Sequence, residues 1–489
     1  MQVKNKVQLI TYPDGLGGNL ATLDRVLETH FAGMFPGGIH ILPPFPSSGD
    51  RGFSPLAYDE IDPRFGTWAD IRRLAERYDI ALDLMVNHVS SHSPYFRDFV
   101  DRGRDSEWAD LFIPLEKIWP DGTPVQADLD RIFLRRPKPW STYEVGSPAS
   151  AVRVWTTFGK TDPSDQIDMD WRSPCFRRVI EGVFEQFAAN GVRIVRLDAV
   201  GYLAKRAGTS CFFLQPETGE ILAWLDQLAA RYDLALLPEV HGTQALQLDL
   251  VRRGSWTYDF ILPYRVLEAL VLRDPAALRS YLAERPARQF TMLDCHDGVP
   301  VKPDLDGLYE PARARQVVDT CMSRGGNVSV VYSGDHQDED GFDVHQIRGT
   351  YYSLLGEDDD AYIAARAIQL FTPGVPQIYY VGLLAGANDL EAATGSADGR
   401  EIHRHNFTTA EIDRAMGRDV VQRLTLLIRL RNEHAAFDGV FSVDPGDGLA
   451  LRLRWQAAAA SAELEVDFGA LRASAVLSDE REGTRVVVL

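Results

Sequence analysis

Eight short apolar runs, at residues 8–13, 38–44, 80–88, 194–200, 234–240, 258–263, 290–294 and 375–381, constrain this 489-residue chain more than any other feature. Each has the length and near-continuous hydrophobicity of a parallel strand covered on both faces. Between them fall segments such as 20–31, 68–78 and 174–189, whose apolar residues recur at helical spacing with charges on the opposite face. The alternation predicts an α/β fold, a (β/α)8 TIM barrel. Such a barrel takes about 250 residues, so additions are expected. Two connections are too long for simple crossovers and are read as inserted subdomains, 89–161 after strand three and 298–357 after strand seven. From residue 439 the pattern changes to short alternating runs, among them 449–455 and 462–468, which predict a small C-terminal β-domain over 439–489. The barrel is then assembled from 1–88, 162–297 and 358–438.

The formal charge of -19 argues against nucleic acid and anionic membrane as partners, and an anionic substrate would need a local basic site. No apolar stretch approaches the roughly 18 residues of a membrane span. The start, Met1-Gln-Val-Lys-Asn-Lys6, leads directly into a strand without a secretory apolar region, so a cytoplasmic location is expected. Cys175, Cys211, Cys295 and Cys321 form neither a metal-ligand spacing nor a disulfide framework, in keeping with a reducing compartment.

Three of the apolar runs lead into carboxylates: Asp198, Glu239 and Asp297. In a barrel the C-terminal ends of the strands converge on one mouth, so acids this far apart in sequence are expected to share a pocket. Two carboxyl groups about 5 Å apart suffice for a retaining displacement at a sugar acetal, one as nucleophile and one as general acid. Arg196, two residues before Asp198 on the same strand face, is expected to keep Asp198 ionised and its pKa low. Glu239 follows Leu236-Leu237-Pro238 and has acidic neighbours, a setting that favours the protonated form. No metal and no cofactor are expected. His88 and His296 belong to no short ligand-spaced motif. The acidic stretches 335–340 and 358–360 lack the Asp/Asn-Gly-Glu order of a calcium loop and read as solvated loop acids.

Asp83-Leu-Met-Val-Asn-His88, Arg196-Leu-Asp198, Pro238-Glu-Val240 and His296-Asp297 stand in the order and approximate spacing of the four signature regions of the α-amylase superfamily, glycoside hydrolase family 13, which the chain resembles. More narrowly, Arg196-Leu-Asp-Ala-Val-Gly-Tyr202, Ala207-Gly-Thr-Ser-Cys211, the run from Pro373 to Gly382 and Ile402-His-Arg-His405 look like the sucrose phosphorylase group. The resemblance implies Asp198 as nucleophile, Glu239 as general acid/base and Asp297 as transition-state stabiliser. It implies that His88 and His296 hold sugar hydroxyls, and that Asp50 and Arg404 hold the far hydroxyls of a glucosyl unit. Tyr202 and Phe53 are then stacking walls, Phe158 a rim aromatic and Gln346 a further substrate contact. The implied reaction is phosphorolysis through a covalent glucosyl-enzyme.

An anion among carboxylates requires local cations. The run Arg131-Ile-Phe-Leu-Arg-Arg-Pro-Lys138 in the first insertion offers Arg135, Arg136 and Lys138, and His241 adds a donor. The group typically shows Tyr-Arg-Pro-Arg-Pro here, whereas this chain has Phe133-Leu-Arg-Arg-Pro137, with Arg135 in place of a proline. In the second insertion Phe342-Asp-Val-His-Gln346 puts His345 in place of a tyrosine. Both departures resemble the sucrose 6F-phosphate phosphorylase branch. Sucrose itself, and then glucosylglycerol or glucosylglycerate, are the alternative substrates. A non-catalytic partner of a membrane transporter is the reading from another class, although such chains lose the acids and carry a membrane anchor, and this chain keeps all three.

Overall fold

The computed structural model describes residues 3–332, 342–396, 398–446, 448–480 and 483–489; the acidic stretch 335–340 lies outside the described residues. All eight expected strands form: β1 Gln8–Thr11, β2 Gly38–Ile41, β3 Ile80–Met85, β4 Val192–Asp198, β5 Ala235–Pro238, β6 Thr257–Asp259, β7 Gln289–Thr291 and β8 Val375–Tyr379. They make one eight-stranded parallel sheet, in the order β6-β7-β8-β1-β2-β3-β4-β5, nearly closed into a barrel. Almost every residue of these strands is buried, which is why they read as unbroken apolar runs.

The chain divides into two compact units. The first is built mainly of Ile41–Val240 and contains β3, β4 and β5. Its parallel registers pair Asp83 with Arg196, Met85 with Asp198, and Leu197 with Pro238. Helix Pro174–Ala189 begins at a Ser173 cap with proline in its first turn and buries Phe176, Ile180, Phe184 and Phe187. The long connection after β3 has structure of its own. It holds helix Pro94–Arg102 and a hairpin pairing Trp140–Val145 with Ser150–Trp155, and Trp155 stacks on Trp119 at 5.7 Å.

The second unit contains Val3–His40, His241–Val330 and Val344–Leu489, and carries β1, β6, β7 and β8. The connection after β7 forms a three-stranded sheet from Val299–Pro300, Asn327–Val330 and Val344–Arg348, with helix Pro311–Ser323. The acids 358–360 do not lie in a loop but begin a helix, with Asp358 exposed at its cap. Asp358 caps helix Asp359–Phe371 by accepting from the Ala361 N–H at 2.9 Å, and Asp360 pairs with Arg423 at 2.8 Å. The C-terminal strands from Val440–Val443 to Gly483–Val488 form a five-stranded antiparallel sheet. Among the described residues no helix is long and apolar enough to cross a membrane.

Trp455 ties that sheet to the helix beside it. It is 5% exposed, its ring centroid lies 5.7 Å from that of Phe437, and its Nε1 donates to the Phe371 carbonyl at 2.7 Å. Trp455→Ala should lower stability by about 3–5 kcal/mol, the cost of truncating a buried tryptophan. Trp455→Phe should lose about 1–2 kcal/mol, because it keeps most of the packing and forfeits the hydrogen bond. Urea midpoints of the two variants check the ordering, and equal losses would contradict it.

Candidate active site

In the first unit a single guanidinium gathers three carboxylates. Arg196 and Asp198 project from the same face of β4, and the register sets Asp83 of β3 beside Arg196. The Arg196 Nη1 donates to Asp83 Oδ1 at 2.5 Å and to Asp198 Oδ1 at 2.8 Å, while its Nη2 meets Glu239 Oε1 at 2.7 Å. The other Glu239 oxygen accepts from the Ala199 N–H at 3.0 Å. Ala199 holds φ at 54°, a left-handed conformation that costs an alanine about 1–2 kcal/mol. Strain of this kind, directly after Asp198, is what a functional turn stores.

The expected direction for Asp198 is reversed. Burial and the facing Glu239 carboxylate push it well above the usual carboxylate range, with Asp83 adding to the rise; Arg196 pulls it down as anticipated but is outweighed. One cation cannot neutralise three buried acids. Asp198 and Glu239 therefore titrate as a pair that retains a proton at higher pH than an isolated carboxylate.

An aromatic cluster stands in the same unit. Phe158 packs edge-on against Tyr202 at 5.0 Å and lies 5.4 Å from the His88 ring, and Phe133 and Phe212 extend the cluster. Gly201 is required next to Tyr202, since a Cβ there would lie 2.3 Å from the Phe213 ring. The Arg196 guanidinium lies 5.7 Å from the Phe53 ring centroid. His88 is held by Nε2 against the Phe53 carbonyl at 2.9 Å; its Nδ1 is buried and has no hydrogen-bond partner among the described residues. Burial lowers its pKa, against the pull of Asp168 and more distant Asp50, so the imidazole is neutral. Asp50 occupies a tight turn, with φ of 48° at both Asp50 and Arg51.

A buried ion pair supports these groups and was not anticipated from the sequence. The Lys205 Nζ meets Asp168 Oδ2 at 2.6 Å and donates to Asn87 Oδ1 at 2.7 Å and to the Tyr202 carbonyl. Asp168 also accepts from Asn87 and from Thr157. The pair holds Asn87, which precedes His88, and the carbonyl of Tyr202. Nothing in the local sequence of Lys205 marks the pair, because Asp168 and Asn87 lie far away along the chain.

Two of the expected phosphate ligands are committed elsewhere. Arg136, 6% exposed, donates to Thr156 Oγ1 at 2.8 Å, to the Thr161 carbonyl at 2.9 Å and to Ser141 Oγ at 3.2 Å. Lys138 pairs with Asp162 at 2.6 Å. In this structure both cations brace the inserted segment. Arg135, on the same turn, is half-buried.

In the second unit the electrostatics are inverted. Asp297 follows β7, and its Oδ1 accepts from Arg400 Nη1 at 2.9 Å; Arg404 Nη2 lies 3.8 Å from that oxygen and His296 Nε2 lies 4.0 Å from Oδ2. Burial alone would raise Asp297, but His296, Arg400 and Arg404 together hold its carboxyl well below the usual range. Arg404 is buried, with Nε on the His296 carbonyl at 2.9 Å. Arg400 was missed from the sequence, although it precedes the Ile402-His-Arg-His405 motif by two positions.

The histidines expected to face an anion also fall in this unit. The His241 Nδ1 meets Asp304 Oδ2 at 3.0 Å, and its ring stacks on Phe260 at 3.9 Å. The buried His345 places Nδ1 2.5 Å from the Lys302 carbonyl, which assigns the hydrogen of a neutral ring to Nδ1. The two rings lie 6.3 Å apart. Gln346, the next residue, is buried on strand Val344–Arg348.

This fold and these acids define a glycosyl-transferring barrel, and the chain belongs to the α-amylase family: residues 32–247 match the family described as "Alpha amylase, catalytic domain". It is 57% identical over 456 residues to the sucrose 6(F)-phosphate phosphorylase of Thermoanaerobacterium thermosaccharolyticum, covering 93% of each chain. It is 40% identical over 459 residues to the glucosylglycerol phosphorylase of Marinobacter adhaerens, again covering 93% of each. Among solved structures, sucrose 6F-phosphate phosphorylase from Thermoanaerobacter thermosaccharolyticum superposes with a TM-score of 0.98 at 54% identity, over 100% of this chain and 99% of the other.

Lys205 and Asp168 make a sharp test of the supporting network, because their side chains are 1% and 0% exposed. Lys205→Met should destabilise the protein by about 3–5 kcal/mol, since it strands a buried carboxylate. The double variant Asp168→Asn/Lys205→Met should recover part of that loss. Denaturation midpoints of the single and double variants give the comparison, and a neutral single variant would show the pair to be dispensable.

Proposed function

We propose that the chain is a retaining glycoside phosphorylase acting on sucrose 6F-phosphate, with inorganic phosphate as the second substrate and α-D-glucose 1-phosphate and fructose 6-phosphate as products. The observation that carries the substrate is the 57% identity, along 93% of the chain, to a sucrose 6(F)-phosphate phosphorylase, against 40% to a glucosylglycerol phosphorylase. The chemistry rests on the Asp198–Arg196–Glu239 constellation.

The Asp198 carboxylate attacks the anomeric carbon as the bond to the fructosyl oxygen breaks, and Glu239 delivers its proton to that oxygen. Fructose 6-phosphate leaves, and a β-glucosyl ester on Asp198 remains. Glu239, now ionised, takes a proton from phosphate, whose oxygen displaces Asp198 and restores the α configuration. Two inversions give net retention. The proton retained by the acid pair is the one Glu239 donates, and Arg196 stabilises Asp198 whenever that side chain is the charged member. Asp297, ionised by its three cationic neighbours, supports the positive charge developing on the sugar. Arg135 and His345 are the proposed contacts for the fructosyl phosphate, with His241 as a further donor.

Two measurements test these assignments. Asp198→Asn should abolish turnover with the fold intact, and the wild-type product should be the α anomer. With an activated glucosyl donor that needs no acid assistance, Glu239→Gln presents Asp198 with a neutral amide in place of the protonated acid of the active form, so the acid limb of kcat/KM, which reports Asp198, should stay near its wild-type position. The basic limb that the wild type shows with the natural substrate, where Glu239 must donate the shared proton, should be absent from the variant. A displaced acid limb or a surviving basic limb would contradict the coupled pair.

Substrate choice is tested with sucrose 6F-phosphate and sucrose side by side at saturating phosphate. Arg135→Ala should cost about 1.5–3 kcal/mol with the phosphorylated sugar, roughly tenfold to over a hundredfold in kcat/KM, and far less with sucrose. His345→Tyr should shift the preference the same way. Equal losses on both sugars would assign these residues to inorganic phosphate or to loop structure.

A further inference from the structure

The segment 398–404 carries an arrangement that the proposed chemistry does not yet use. Asp398 grips Arg400 as a clamp: it accepts from the Arg400 backbone N–H at 3.0 Å, from Nε at 3.2 Å and from Nη2 at 3.1 Å. With Nε and Nη2 occupied, the remaining Nη1 is the nitrogen presented to Asp297, at 2.9 Å. The segment itself is pinned to the sheet of the second insertion. The Asn327 side chain donates to the Gly399 carbonyl at 3.0 Å, and a Cβ at position 399 would meet Asn327 Oδ1 at 2.8 Å and Arg348 Nη1 at 2.9 Å, so a larger residue would have to displace these side chains. On the other side, Asp389 N–H donates to the Ile402 carbonyl at 2.8 Å.

We propose that the Asp398–Arg400 clamp is a positioning device for Asp297, fixing the orientation of its carboxylate and keeping it ionised for transition-state stabilisation. The proposal rests on the role given to Asp297 above. Arg400 acts through Asp297 and is not itself assigned to the sugar.

The charged groups around Asp297 are His296, Arg400 and Arg404, and Arg348 interacts with the same set from strand Val344–Arg348. Asp398 and Glu401 balance them; Arg404 lies 3.8 Å from the first and 3.6 Å from the second. Arg404 stands farther from the Asp297 oxygen than Arg400 does and is oriented by the His296 carbonyl. Arg400 makes a short contact with the acid and is itself held by the Asp398 carboxylate. Removing it leaves Asp297 with weaker cations, so its carboxyl rises and ionisation is lost at higher pH than in the parent enzyme.

The test compares Arg400→Met, Arg400→Lys and Asp398→Asn with Asp297→Asn, measuring kcat and KM for phosphorolysis across pH, with thermal melting to establish folding. Arg400→Met should lower kcat by about tenfold to a hundredfold, the range of one charge-assisted hydrogen bond. KM should change less than kcat, and the acid limb of kcat should move up in pH. Arg400→Lys should recover most of kcat and return the limb toward the parent position. Asp398→Asn should fall between, because the arginine remains but is no longer aimed. If Arg400→Met fails to fold, Asp398→Asn decides the matter: a parent-like pH profile and kcat in that variant would overturn the proposal. A dead Asp297→Asn beside an Arg400→Met of unchanged kcat and pH limb would reject the clamp alone. An active Asp297→Asn would instead reject the role of Asp297.

Discussion

Arg196 is the interaction on which the catalytic half of the structure depends. Its side chain is 3% exposed and touches three carboxylates, so removing it would leave Asp83, Asp198 and Glu239 facing one another with little water to screen them. The arrangement is a matter of strand register. Asp83 lies opposite Arg196 on β3, and Pro238 lies opposite Leu197 on β5, which delivers Glu239 alongside Asp198. A slip of one residue on either neighbouring strand would turn its acid to the other face. The long apolar runs that make the strands recognisable thus also fix the geometry of the acids, because burial on both faces leaves no tolerance for a shifted pairing.

The charge balance in the two units explains how three similar side chains come to different protonation behaviour. Asp198 and Glu239 share one arginine, which is too little to keep both ionised once they are buried, so the pair holds a proton. Asp297 has Arg400, Arg404 and His296 around it, the two arginines shared with Asp398 and Glu401, and stays ionised far into the acid range. The acid proposed to donate and the acid proposed to remain charged are thereby separated by the number of cations around each. The amino-acid types alone do not make that distinction.

The parts of the fold that were legible in the sequence are those governed by local pattern. Parallel strands buried on both faces read as continuous apolar runs, and helix Pro174–Ala189 begins where Ser173 and a proline signal it. The signature acids were legible because they end such runs. For the basic run 131–138, composition records that four cations occur within eight positions but not where each side chain turns: Arg136 turns toward Ser141 and Thr156, and Lys138 toward Asp162. Groups that act through distant partners were not legible at all: Lys205 reaches Asn87 across 118 positions, and Arg400 reaches Asp297 across 103. The direction of the Asp198 shift was missed for a related reason, since Arg196 was counted as a partner of one acid when it serves three.

The proposed anion contacts follow from the same need for fixed charge in an acidic protein. A flexible lysine or arginine gives up about 1.5–2 kcal/mol of side-chain entropy when a ligand immobilises it. His345 and His241 lose little, because each is already held through Nδ1, the first by the Lys302 carbonyl and the second by the buried Asp304, with Phe260 stacked on the His241 ring. Asp304 is itself anchored by the Gly242 N–H at 3.2 Å. Imidazoles fixed in this way present a defined nitrogen and cannot swing toward the many competing carboxylates of a chain with net charge -19. For the proposed phosphate-ester contacts, donors already held in place therefore cost less to order than mobile cations, which surface ion pairs would draw away.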